Sequence, residues 1–202
     1  MTAPTQAIVQ TAMHKAGCPL TWTAAEPGEL TAESALRCRL ADLVVIGLPE
    51  VHTAALPLVE SIVRLGGAPC LLVPETWDAA RPLDHVVLAW NGSRQAKRAM
   101  DDALPLLRDA KIVSVLAIGS AEGLEGQHDA LIAHLRRKGV AASMAIAPKG
   151  PYGAAILDWC DEHQADLLAM GAFGHTPRAE RWFGGTTWTV LTGARIPVLM
   201  SC

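Results

Sequence analysis

The chain carries no excess of basic residues. Charged residues make up 18% of its 202 positions and the formal net charge is −3, so the Lys/Arg surplus that tracks nucleic-acid phosphates is missing. Nucleic acid is therefore not an expected partner. The opening residues, MTAPTQAIVQ, have neither the basic nor the apolar region of a secretory signal, and no uninterrupted apolar run approaches the roughly 18 residues a membrane helix needs. A cytoplasmic protein with no membrane partner is expected. The five cysteines, Cys18, Cys38, Cys70, Cys160 and Cys202, are odd in number, scattered and without a C-x-x-C pair, which argues against a disulfide framework and against zinc. They read as reduced, mostly buried thiols.

Catalytic signatures are also missing. There is no G-x-S-x-G elbow, no G-x-x-x-x-G-K-[ST] loop and no carboxylate pair that the sequence brings together. His128 and His134 are six apart, off the i, i+4 spacing of a helical metal pair. No catalytic residue and no resident metal site are expected.

What the chain does have is apolar bulk and a repeat. Half its residues are hydrophobic, ample for a core. The stretch ADLVVIG, Ala41 to Gly47, recurs as ADLLAMG, Ala165 to Gly171, and GGAPCLLVP is matched by TGARIPVLMS, the later copy holding about four extra residues between its two strands. Near-continuous apolar strands alternate with amphipathic helices in the later copy, which predicts a parallel sheet covered on both faces. The expected order there runs from the strand HVVLAW through one long helix, SRQAKRAMDDALPLLRD, to the closing strand IPVLMS. Ser93 is placed to cap that helix, Gly139 to close the next and Pro151 to start a third.

Projecting the repeat backwards sets the counterparts of the first two strands before residue 1. The expected organisation is a partial unit at residues 1–75, a linker at 76–82 within ETWDAARPLD, and one whole α/β unit at 83–202. A start codon further upstream is the alternative, and the genomic sequence preceding Met1 separates the two.

Between the strand ADLLAMG and the helix beginning near Thr186 lies GAFGHTPRAERWFGG. Glycines there allow backbone N–H groups to approach an anion, and a helix N-terminus adds unpaired donors and partial positive charge. A plain turn is the other reading. A second loop, Asn91-Gly92-Ser93, sits at the end of another parallel strand. If those two strands are neighbours whose connections leave in opposite directions, both loops border one crevice, the ligand position of open α/β sheets. His175 in the loop reads as an exposed side chain, and Trp182 and Trp188 as helix packing.

The spacing Gly171-x2-Gly174-x9-Gly184 between strand and helix, followed by RIPVLMS, together with VVLAWNGS, resembles the nucleotide loop and first strand of the universal stress protein family. The resemblance implies an α/β, doubly wound parallel sheet of the adenine-nucleotide alpha-hydrolase-like kind with strand order 3-2-1-4-5. It also implies ATP, with Mg²⁺ or Mn²⁺ accompanying the phosphates, across the ends of strands 1 and 4. Carried over by position, Gly171, Gly174 and Gly184 would wrap the triphosphate. Gly185 and Thr186 would offer backbone donors and Thr187 a hydroxyl. Asn91, where the family has an aspartate, would lie near the ribose, and the backbone at Ala117 and Ile118 would face adenine. Gly185 departs from the Ser or Thr usual in the family.

In the earlier copy Gly47 has no glycine at the required spacing, and Pro49 and Glu50 bring stiffness and negative charge, so that half should not bind nucleotide. The family also pairs units through their last strands, which implies a homo-oligomer or an internal pseudo-dimer. The expected function is an ATP-binding regulatory or interaction module in the stress response. A slow ATPase or nucleotidyl-transferring enzyme and a non-binding dimerisation module remain as alternatives.

Overall fold

The computed structural model describes residues 37–48, 56–78, 80–119, 125–174 and 185–202. All of them fall within one compact unit, Thr31–Cys202. The part of the expected partial unit before residue 37 lies outside the described residues, as do Pro49, Glu50, His175, Arg178, Arg181, Trp182 and Gly184.

In chain order the elements are β1 (Val44–Leu48), α1 (Leu56–Leu65), β2 (Cys70–Pro74), β3 (His85–Ala89), α2 (Arg94–Asp102), α3 (Leu104–Asp109), β4 (Ile112–Ile118), α4 (Glu125–Arg137), β5 (Ala142–Ala147), α5 (Tyr152–Glu162), β6 (Leu167–Gly171), α6 (Thr186–Gly193) and β7 (Val198–Ser201). The seven strands form one sheet in the order β1-β2-β7-β6-β3-β4-β5. Counting β3, β4, β5, β6 and β7 as strands 1 to 5 of the later copy, their order is 3-2-1-4-5, as the resemblance implied.

Every neighbouring pair is parallel except β2 and β7, which run antiparallel with Cys70 opposite Met200 and Leu72 opposite Val198. The repeat is visible in the ladders. β1 pairs with β2 as β6 pairs with β7, and the residue opposite Val44 is Cys70 whereas that opposite Leu168 is Val198 (26 against 30 residues along the chain). The four extra residues fall between β6 and β7.

The central strands are mostly apolar because both their faces are covered, as a parallel sheet requires. Every residue of β7 is buried, as are Val86, Val87 and Leu88 of β3. Leu56, Val59, Ile62 and Val63 of α1, Ile156 and Cys160 of α5, and Val190 and Leu191 of α6 form one core cluster. Met100 and Leu107 of α2 and α3, with Leu131 and Leu135 of α4, form the other. Each fully buried leucine of this kind contributes about 1.5–3 kcal/mol by leaving water.

One element differs from the sequence expectation. The helix read as continuous from Ser93 to Asp109 breaks at Ala103, and α3 restarts with Pro105 in its first turn. Proline lacks the N–H that an unbroken helix would need there, yet its fixed φ suits a first turn. The caps agree with the sequence. Ser93 Oγ accepts from Ala96 N at 3.1 Å, and Gly139 leaves α4 with φ +83°.

At the amino end of the sheet Asp166 ties the segment that precedes β3 to the strands. Its Oδ1 accepts from Arg81 Nε at 2.7 Å, and its Oδ2 from the backbone N–H groups of Asp84 (3.1 Å) and His85 (2.8 Å). Arg81 in turn lies over the Trp77 ring, 4.8 Å from its centroid.

Candidate functional site

β3 sits between β6 and β4, the place in the sheet where the order reverses. The chain leaves β3 toward β4 on one side and leaves β6 toward β7 on the other, so the loops that follow β3 and β6 part and leave a crevice at the carboxyl ends. The structure therefore brings the Asn91 loop and the start of the glycine loop to one crevice.

On the β3 side, Asn91 is exposed and its Oδ1 accepts from Ser93 N at 3.1 Å. Gly92 has φ +73° and nothing within 4 Å of where a Cβ would stand, so the turn is left-handed and open. Asn91 and Ser93 thus shape the turn and cap α2.

On the β6 side the glycines divide. A Cβ on Gly171 would stand 2.5 Å from the Ala96 nitrogen and 2.5 Å from the Gln95 carbonyl carbon, so this glycine is required for α2 to pack on the strand. Gly174 is exposed, and a Cβ there would meet Gln95 only at ordinary contact distance, 3.5 Å. Between them Phe173 is buried with φ +52°. Its N–H donates to Thr187 Oγ1 at 3.2 Å.

Gly185 is the N-cap of α6 and makes no side-chain cap. The first amides of that helix accordingly lack intrahelical acceptors, which suits an anion. Thr186 is half-buried at this end and Thr187 is buried.

Strand alternation sorts the two residues at the end of β4. Leu116 O accepts from Trp90 N, toward β3, while Gly119 N donates to Ala147 O, toward β5. Backbone groups alternate sides along a strand, so those of Ile118 face the β3 side, just beyond the point where β3 has ended. Those of Ala117 face β5. Of the pair, Ile118 is the one whose backbone polar groups are turned to the crevice.

Two cavities lie elsewhere, at the amino end of the sheet. One is lined by Lys111, Ile112, Ile132, Arg136 and Val140, the other by Trp77, Arg81, Cys160, Gln164 and Arg195. Neither touches a residue singled out for binding. Among the described residues no three His, Cys, Asp or Glu side chains gather as a metal site, and no helix is long and apolar enough to cross a membrane.

Sequence reasoning missed two participants. Phe173 was passed over between its glycines, although a large residue in so glycine-rich a stretch is itself a signal of a fixed turn. Arg64, in the earlier copy, places its guanidinium 4.1 Å from the Phe173 ring centroid, and no motif points to it.

Comparison with known proteins agrees with this architecture. A universal stress protein from Archaeoglobus fulgidus DSM 4304 superposes with a TM-score of 0.71 at 16% identity, over 91% of this chain and 68% of that one. A putative universal stress protein from Pseudomonas aeruginosa UCBPP-PA14 gives 0.63 at 16% identity, over 98% and 77%. A universal stress protein in complex with cAMP gives 0.50 at 22% identity, over 59% of this chain and 97% of its own. No curated protein matches the sequence. The model of the universal stress protein family matches residues 82–201, more than half of the chain, and the chain belongs to that family.

Proposed function

We propose that the chain binds an adenine nucleotide, ATP with Mg²⁺ or Mn²⁺, in the crevice between β3 and β6, and acts as a nucleotide-dependent regulatory module of a cytoplasmic stress response. The observation that carries this reading is the meeting of a helix N-terminus that has no side-chain cap from Gly185 with an exposed glycine, Gly174, at the reversal point of the sheet. That arrangement fits a polyphosphate, because it offers backbone donors and a helix dipole. Gly184 would complete the cradle, Asn91 would lie toward the ribose and Ile118 toward the base. The metal would neutralise phosphate charge when bound. A family relative held with cAMP supports the adenine class.

The residues divide, in this reading, into a partial unit at 1–75 that binds no nucleotide, a linker at 76–82 and a binding unit at 83–202. The antiparallel pairing of β2 with β7 supports an internal pseudo-dimer, in which the last strand of the partial unit occupies the edge a second chain would otherwise take.

A second reading has its own support. Gly171 is required by packing and the Thr187 hydroxyl already serves Phe173, as expected of a non-binding interaction module whose loop is inherited architecture. Calorimetric titration of MgATP into the full chain and into a Gly184→Glu variant decides. Saturable binding near one site per chain, lost in the variant, supports the nucleotide module; no heat from folded, nucleotide-free protein supports the alternative.

A further inference from the structure

The partial first copy has no glycine loop of its own, yet it touches the one that follows. Arg64, in the last turn of α1, sets its guanidinium 4.1 Å from the centroid of the Phe173 ring. Glu60, one turn earlier on the same helix, aims it, with Arg64 Nε donating to Glu60 Oε1 at 2.9 Å. A second contact joins the copies on the other side of the crevice, where Arg98 of α2 donates to the Gly67 carbonyl at 3.4 Å.

Phe173 links the two ends of the loop. It directly precedes Gly174, the first exposed glycine, and its N–H bonds to Thr187, the second residue of α6. It does so with φ +52°, a region that a bulky L-residue occupies only where its surroundings hold it there. Burial, the Thr187 hydroxyl and the Arg64 cation over the ring face supply that hold.

We propose that Arg64 is a positioning residue for the loop of the second copy: through the Phe173 ring it keeps the entry to the loop and the N-terminus of α6 at a fixed spacing, so the affinity of the crevice depends on the partial copy. The proposal rests on the nucleotide reading for its ligand, but its geometric part stands without one. By reciprocity, a ligand bound in the crevice also tightens the seating of Phe173 under α1.

The test uses the full chain labelled with ¹⁵N. Amide exchange is measured in the wild type and in Arg64→Met, Arg64→Lys, Phe173→Leu and the Arg64→Met/Phe173→Leu double variant, each followed by MgATP titration. Arg64→Met keeps the aliphatic length and removes the cation. It should speed exchange at the Phe173 amide roughly two- to tenfold and weaken MgATP by a similar factor, with exchange at Val59 and Leu168 unchanged. Arg64→Lys should recover part of both effects, and Arg64→Met should add nothing in the Phe173→Leu background.

Exchange at Phe173 equal to wild type in Arg64→Met overturns the proposal. So does an acceleration shared equally by Val59 and Leu168, which would mean general loosening. If wild type binds no nucleotide, the nucleotide reading falls, while selective acceleration at Phe173 still supports the positioning role and its absence still overturns it.

Discussion

The backbone of Ala96 crosses Gly171 so closely that a Cβ at position 171 would stand 2.5 Å from the Ala96 nitrogen. The helix that opens the crevice on one side is therefore seated on the strand that opens it on the other. Gly171→Ala should force α2 off β6 and cost about 1–3 kcal/mol. Gly174→Ala meets only ordinary contacts and should shift stability by no more than about 0.5 kcal/mol, while still weakening nucleotide binding. Urea midpoints compare the two; equal destabilisation would contradict the division of labour between them.

Thr187 serves the loop from the helix side. Thr187→Val preserves shape but leaves the Phe173 N–H buried without its acceptor, a loss of about 1–3 kcal/mol. Thr187→Ser keeps the hydroxyl and should stay close to wild type. Thermal unfolding of the two variants checks this, and a valine variant as stable as wild type would show that the hydrogen bond contributes nothing.

Asp166 holds the amino end of the sheet. Asp166→Ala removes the acceptor of two backbone N–H groups and one partner of Arg81, and should destabilise the fold by about 2–4 kcal/mol. Asp166→Asn retains one acceptor oxygen and should cost less. Denaturant midpoints in that order, wild type above Asn above Ala, are expected; an Ala variant at the wild-type midpoint would contradict the assignment.

The thiols set an alkaline limit. Burial raises Cys70 and Cys160 from the ordinary 9.0 to about 12, helped by Cys38 beside the first and Asp161 beside the second. The folded chain keeps these protons over a range where the unfolded chain has released them. Their contribution is fully present below about pH 9 and is lost as pH climbs toward 12. A Cys70→Ala/Cys160→Ala variant should be less stable at neutral pH yet show a shallower decline above about pH 9 than wild type. Parallel pH profiles would contradict this.

How much of this could be read without coordinates varies by residue. The parallel sheet covered on both faces followed from apolar runs and their spacing, because layering is written in periodicity. The strand order came only with the resemblance to the universal stress protein family, and the meeting of the two loops depended on their strands being neighbours. The cap at Ser93 was legible because capping is local. The break at Ala103 was not, since a proline such as Pro105 reads equally as a kink within a helix or the first turn of a new one.

The packing role of Gly171 escaped for a different reason. A glycine at a strand end serves a phosphate or a crossing helix equally well, and only the position of α2 separates them. Asp166 left a signal that went unread: it recurs at Asp42 in ADLVVIG, at the same place in the repeat. The Arg64 contact with Phe173 left none, because it joins distant segments through tertiary packing.

The most direct test of the nucleotide crevice is an amide chemical-shift titration of the ¹⁵N-labelled chain with MgATP. Saturable shifts are expected at Asn91, Gly92, Ser93, Ile118, Gly174, Gly185 and Thr186, with the β2–β7 seam and the amino-end residues Arg81 and Arg195 unmoved. Shifts confined to the amino end, or none at all from a folded sample free of bound nucleotide, would contradict the account.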